Sequence, residues 1–168
     1  LILSFLSIYF KSYLIKKKHA IQRDHMTNFY RRDYYEKKLL KQRDFNILII
    51  DIDNFKKIND TYGHEVGDDV IRHIAIRINN CIRKKDIPIR WGGEEFIISF
   101  PEMNRQQLYF KAKKICQSIA SSPILELNIT VSIGGISSTN IHFNDVYKAA
   151  DKALYHSKNN GRNQYTII

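Results

Sequence analysis

Cysteine is almost absent from this chain of 168 residues: Cys81 and Cys116 stand alone, and their separation matches no metal-binding pattern. Cys81 falls within an apolar helical pattern. Buried, reduced thiols are therefore expected rather than a disulfide, and a cytoplasmic setting follows. No stretch is of low complexity, and no repeat recurs at a fixed period. Acid is also in short supply. Seventeen Asp and Glu face 27 Lys and Arg, a net charge of +10. Such an excess suits nucleic acid, an anionic membrane or phosphorylated small molecules. Part of it sits in Lys11, Lys16, Lys17 and Lys18, ahead of any acid. Residues 21–168 carry only +6, mixed in sign along the chain, so no nucleic-acid partner is expected. Missing too is the unbroken run of about 20 apolar residues that a complete membrane helix requires.

The first ten residues, LILSFLSIYF, are nearly all apolar or aromatic, and lysines follow them. The expectation is the last turns of a membrane helix with its lysines on the cytoplasmic side, on the inner face of the cell membrane. A linker helix packed on a partner is the alternative. No small-residue cleavage site follows, which argues against a signal peptide. The chain does not begin with Met, so a fragment or processed product is expected. Residues 1–20 are thus read as a membrane-proximal segment with a basic linker, and 21–168 as one domain.

Hydrophobic residues make up 43% of the chain and charged residues 26%, and the length suits a single core. The pattern predicts a helix over 28–42, a buried strand over 45–51 and a short helix over 54–60 capped by Asp53 or Asn54. Val66, Val70, Ile74, Ile78 and Ile82 recur every four residues, a long amphipathic helix. Strands over 87–91 and 95–100 flank a tight Gly92-Gly93 turn. A helix over 104–121, a strand over 127–133, a helix from Val146 to Lys158 stopped by Gly161, and an edge strand over 164–168 complete the chain. Strands alternating with helices around one core make an α/β sandwich.

Asp51 and Asp53 end an apolar strand, and Glu94 and Glu95 follow the glycine turn. Brought together, these carboxylates repel unless a cation neutralises them. Hard oxygen donors select magnesium, calcium or manganese, and magnesium suits phosphoryl transfer. Two ordinary solvated turns are the plainer alternative. Gly92 and Gly93 let a ligand approach the backbone. Asn59, His64 and Asp68 offer amide, imidazole and carboxylate groups to a base edge, while Lys158 and Arg162 flank Gly161 and can reach phosphates.

Several segments resemble the GGDEF-domain diguanylate cyclases. Residues 51–68, DIDNFKKINDTYGHEVGD, are similar to that family's first signature, and Gly92-Gly93-Glu94-Glu95-Phe96 to its naming motif in the Glu form. Thr130-Val131-Ser132-Ile133-Gly134 resembles the later strand signature. Ala150-Asp151-Lys152-Ala153-Leu154-Tyr155, with Lys158 and Gly161-Arg162-Asn163, resembles the closing one. Asp24, Met26, Thr27 and Arg32 resemble the leading one. Five motifs in the right order, over about 22–168, are far more specific than one Gly-Gly-Glu-Glu-Phe. Asn28, Arg31, Asp33, Trp91 and Ser157 depart from the usual Gly, Asn, Arg, Tyr and Ala, and they put the leading loop and dimer contacts in doubt.

The resemblance implies a polymerase-palm-like fold with a central, mostly antiparallel sheet. It implies condensation of two GTP into cyclic di-GMP and pyrophosphate by a homodimer. Asp51, the Ile52 carbonyl and Glu94 would hold Mg2+ or Mn2+. Glu94 would act as general base, Lys56 would stabilise transferring charge, and Glu95 is their acidic neighbour. Asn59 and Asp68 would read guanine, with Phe55, His64 and Gly93 around the nucleotide and Lys158 and Arg162 on its phosphates. Arg83-Lys84-Lys85-Asp86 matches an Arg-x-x-Asp site for inhibitory product, with Arg90 on the same surface. The alternative is an inactive receptor that binds cyclic di-GMP there.

Overall fold

A computed structural model describes residues 22–101 and 103–168. The membrane-proximal reading of residues 1–20 falls outside them. The elements, in chain order, are β1 (Tyr30–Arg31), α1 (Arg32–Leu39), β2 (Phe45–Ile52), α2 (Phe55–Tyr62), α3 (His64–Cys81), β3 (Ile87–Arg90), β4 (Glu95–Ser99), α4 (Arg105–Ala120), β5 (Val131–Ser138), α5 (Phe143–Asn159) and β6 (Tyr165–Ile167).

One sheet joins the strands in the order β1-β3-β4-β2-β5-β6. The pairings β2–β4, β2–β5 and β3–β4 are antiparallel, while β1–β3 and β5–β6 at the edges are parallel. The predicted α/β sandwich with a mostly antiparallel sheet is the fold observed.

β2 lies at the middle because it is apolar on both faces, as a strand covered on both sides must be. Its side chains alternate. Leu48, Ile50 and Ile52 join Val70, Ile74 and Ile78 of α3 and Leu108, Ala112 and Ile115 of α4 in one core. Phe45, Ile47 and Ile49 join Tyr35 and Leu39 of α1 and Val146, Ala150 and Leu154 of α5 in the other. Each fully buried aliphatic side chain contributes about 1.5–3 kcal/mol, so the two cores hold β2 and the residues at its end firmly. At α4, Asn104 accepts from the Gln107 amide and Gln107 accepts from the Asn104 amide, a closed capping box.

The structure changes several expected boundaries. The helix expected from residue 28 starts only at Arg32, because Tyr30 and Arg31 pair with Ile89 and Arg90 as an edge strand. The strand expected over 127–133 instead runs from Val131 to Ser138. Leu125 and Glu126 take positive φ, 51° and 65°, in a loop closed by the Ile124–Leu127 bridge. Past Ile133 the strand continues through Gly134 and Gly135, whose lack of side chain is required. A Cβ on Gly134 would collide with the backbone of α5 at Ala150 and Leu154. Neither Gly92 nor Gly93 adopts a positive φ, so the β3–β4 connection is not the tight two-glycine turn expected. It spans Trp91 to Glu94, and the Trp91 and Gly92 amides both donate to the Glu95 carbonyl, at 2.9 and 3.2 Å.

Candidate active site

β2 ends where its two antiparallel neighbours place the other chemistry. Asp51 lies directly opposite Glu95 of β4 on one side and Ser132 of β5 on the other. Glu94 immediately precedes β4. From the last turn of α5, the Lys158 ammonium reaches Asp51 Oδ2 at 2.9 Å. The two acidic tips, 43 residues apart in sequence, thus converge because strand pairing puts them in register.

The site is electrostatically loaded. Burial pushes the Asp51 carboxyl above the usual carboxylate range; Lys158 opposes the shift, and the charges of Glu94 and Asp53 add to it. Burial likewise raises Glu95, helped by Asp51, Glu94 and Asp151 and opposed by Lys158. Groups that lift one another's pKa in this way are stabilised by any added cation. Lys158 already stands on Asp51 as one such cation. Among the described residues, no group of three or more His, Cys, Asp and Glu side chains could hold a metal ion. Two carboxylates and a backbone carbonyl do not need to reach that number. Magnesium keeps waters and takes phosphate oxygens in its remaining positions, so the residues present fit that ion.

The remaining candidate residues fall in three places. Phe55, Lys56 and Asn59 lie on α2, with Lys56 exposed and Phe55 buried. His64 and Asp68 lie on the first turns of α3, after a Gly63 bend at φ 87°. Asn59 Oδ1 is buried without a hydrogen-bond partner and faces Gly67, where any Cβ would strike it. An orphaned buried acceptor costs about 1–3 kcal/mol, and it is the kind of group a bound ligand would satisfy. Lys158 and the exposed Arg162 stand at the end of α5 and on the loop beyond it.

Away from the β2 end, Asp86 has a fully buried carboxylate that accepts from the Arg83 amide at 2.8 Å and from its guanidinium at 3.1 Å. Arg83 keeps about half of its side chain exposed. Arg90, expected on the same surface, is committed elsewhere. Its guanidinium donates to both oxygens of Asp24 at 3.1 and 3.2 Å and to the Gly93 carbonyl at 3.0 Å. This ion pair is 15% exposed on each side, so its charge is spent on tying the leading turn to the glycine turn. Beside that junction opens a cleft of about 720 Å3, walled by Asp24, Arg31, Arg32, Asp33 and Arg90.

Asp53 does not cap α2. Asn54 is the N-cap, at φ 56°, with no side-chain cap bond. Asp53 instead accepts from Thr130 and Ser132, two hydroxyls that the sequence reading placed in a strand signature without giving them a role, and from the Asn163 amide. Their two-residue spacing, which puts both on one side of an extended chain, was the available signal.

Known proteins share the sequence pattern and the fold. The family model described as "Diguanylate cyclase, GGDEF domain" matches residues 21–164. Diguanylate cyclase A of Treponema denticola is 42% identical over 134 residues, 76% of this chain and 36% of that protein. Diguanylate cyclase DgcM of Escherichia coli K12 is 38% identical over 157 residues, 88% of this chain and 38% of that protein. Among solved structures, the coiled coil and GGDEF domain of DgcB from Caulobacter crescentus, in complex with c-di-GMP, superposes with a TM-score of 0.89. It is 27% identical and the match covers 98% of this chain and 95% of that one. The active GGEEF domain of a Vibrio cholerae diguanylate cyclase gives 0.70 at 35% identity, over 80% and 88%. The fold is that of a GGDEF domain. The chain belongs to the GGDEF diguanylate cyclase family, and it spans a little over a third of the curated relatives named here.

Proposed function

We propose that this domain is a working diguanylate cyclase that joins two GTP molecules into cyclic di-GMP. The observation that carries the reading is the convergence of Asp51, Glu95 and Lys158 at the end of β2, with the charge of Glu94 felt at both carboxylates. Asp51, the Ile52 carbonyl and Glu94 would hold Mg2+ or Mn2+. When bound, that ion supplies charge neutralisation for a triphosphate.

The chain's own residues do the rest. Asn59 and Asp68 hydrogen-bond guanine, with Phe55 beneath them and His64 and Gly93 nearby. Asn59 Oδ1, buried and unpaired, accepts from a guanine N–H. Lys158 and Arg162 hold the β- and γ-phosphates, and Lys56 meets the charge that develops on the transferring phosphate. Glu94 accepts the proton of a 3′-hydroxyl, and Glu95 keeps negative potential around it. The 3′-oxygen of one GTP then attacks the α-phosphorus of the other and pyrophosphate leaves; the reciprocal attack closes the ring and releases a second. Each domain presents one nucleotide, so two copies must face each other about a two-fold axis. The open cleft beside Gly92 and Gly93 supports room for a second nucleotide at this edge. Product binding at Arg83 and Asp86 provides feedback, and the segment ahead of residue 21 anchors the domain at the cytoplasmic face of the membrane.

Incubation with GTP and Mg2+, with cyclic di-GMP resolved by chromatography, tests the reading. The protein forms product, and Glu94→Gln lowers its rate by at least about a hundred-fold, the usual scale for a missing general base. A dimeric sample that binds cyclic di-GMP but never makes it would identify a receptor instead.

A further inference from the structure

We infer that Asp53 is a positioning residue for the triphosphate rather than a second metal ligand. The inference rests on the cyclase reading and adds to it. Asp53 is 6% exposed, two residues beyond Asp51. Its Oδ1 accepts from the Ser132 hydroxyl at 2.6 Å, and its Oδ2 accepts from the Thr130 hydroxyl at 2.6 Å and the Asn163 amide at 3.0 Å. The Asp53 amide donates in turn to the Thr130 carbonyl at 3.0 Å. Both lone pairs of Oδ2 and one of Oδ1 are therefore occupied by protein donors. Hydroxyl-to-carboxylate bonds this short belong to the strong, charge-assisted kind.

These donors come from two places that must be held relative to β2. Thr130 and Ser132 belong to the start of β5. Asn163 belongs to the loop that follows α5, and that loop is conformationally costly. Gly161, Arg162 and Asn163 all have positive φ, at 108°, 61° and 46°. Two of the three are not glycine, and of those only Asn163 is of a type that visits the left-handed region readily. The loop is closed by the Arg162 amide donating to the Ser157 carbonyl at 3.2 Å, and by the Asn163 amide donating to Asp53. Arg162 is thus fixed between a bond to the end of α5 and a bond to Asp53. One turn earlier, Lys158 reaches Asp51. The Asp51 end of β2 and the Arg162 loop are thus held at one spacing by a carboxylate whose own oxygens are taken up by protein donors.

Three substitutions test this. Asp53→Ala removes all three acceptor bonds. Asp53→Asn keeps an oxygen for Thr130 and Asn163 and turns its amide toward Ser132, whose hydroxyl can accept. Thr130→Val deletes one donor and leaves the carboxylate intact. Affinity is measured by calorimetry with 3′-deoxy-GTP, which lacks the attacking hydroxyl, and with GMP, which lacks the outer phosphates. Turnover with GTP is followed as KM and kcat across a Mg2+ titration, and melting curves check the fold.

Asp53→Ala is expected to weaken 3′-deoxy-GTP about ten-fold or more and GMP less than about two-fold. KM rises in step while the half-saturating Mg2+ stays where it is. Asp53→Asn recovers most of that loss, and Thr130→Val shows a smaller loss of the same kind. Equal losses for both nucleotides, a shift in Mg2+ requirement in Asp53→Asn, or unchanged 3′-deoxy-GTP affinity in folded Asp53→Ala or in Thr130→Val would each overturn the inference while leaving the cyclase reading intact. Failure of the unmodified protein to bind 3′-deoxy-GTP would overturn both.

Discussion

Asn59 and Gly67 show how one missing methyl shapes a binding site. Gly67 lies inside α3, where alanine would favour the helix by about 0.8–1 kcal/mol. A methyl there would run into Asn59 Oδ1 and crowd the Phe55 ring. Gly67→Ala is therefore expected to keep or raise Tm while KM for GTP rises about ten-fold. Normal KM in that variant would detach guanine recognition from the position of Asn59. Arg90 carries a similar lesson. Although burial raises the Asp24 carboxyl, hydrogen bonds from Thr27 and the charge of Arg90 bring it below its ordinary value. The pair joins residues 66 apart, so the leading turn is attached to Gly93 by one guanidinium. Burial pushes the Cys116 thiol up to about 11, which keeps it protonated near neutral pH.

At the scale of elements, the packing of α5 on β5 decides where Lys158 ends up. The helix approaches the strand closely only because Gly134 offers no side chain. Ser157, one residue before Lys158, donates to the Ile133 carbonyl at 2.9 Å and fixes the helix along its axis. Gly134→Ala must push α5 outward. The expected cost is about 3 kcal/mol, the upper part of the usual range for overpacking. In a domain of this size that lowers Tm by roughly 6–12 °C. Activity should fall with it, because Lys158 moves away from Asp51. A melting curve that overlies the parent's would show that the contact relaxes freely. The helices α3, α4 and α5 were legible in the sequence because their apolar residues recur at helical spacing. β1 was not, because Tyr30 and Arg31 have no pattern of their own and become a strand only by pairing with β3. The shift of β5 was hidden for a related reason. Its glycines read as an ending until the neighbours that require them are in place.

For the molecule as a whole, the proposed reaction needs two copies to meet, so on that proposal regulation would act on the encounter. Arg83 and Asp86 lie away from the end of β2, in the loop before β3, where bound product can influence how two domains approach. Asp86 is held by the Arg83 backbone amide as well as its side chain, so the carboxylate keeps the amide bond when the guanidinium is removed. In Arg83→Ala, inhibition by added cyclic di-GMP is expected to weaken at least about ten-fold, measured as the concentration that halves the initial rate. Inhibition at the parent's concentration would place the feedback site elsewhere. Among the described residues no helix is long and apolar enough to cross a membrane.

The sequence by itself determined the family, the two acidic tips and the residue types offered to guanine and phosphate, because each is a local run of side chains at fixed spacing. It also determined that the segment over 45–51 is a buried strand, since its apolar residues run almost unbroken; its place at the centre of the sheet came from the pairing. Tertiary structure alone decided that Asp51 faces Glu95 and Ser132, that Lys158 is the cation standing on Asp51, that Arg90 serves Asp24 and Gly93, and that Asp53 faces inward. Apart from the local Arg90–Gly93 bond, those are pairings between segments 44 to 110 residues apart, set by strand register and by how closely α5 can lie on the sheet, and neither quantity is written in any one stretch of chain.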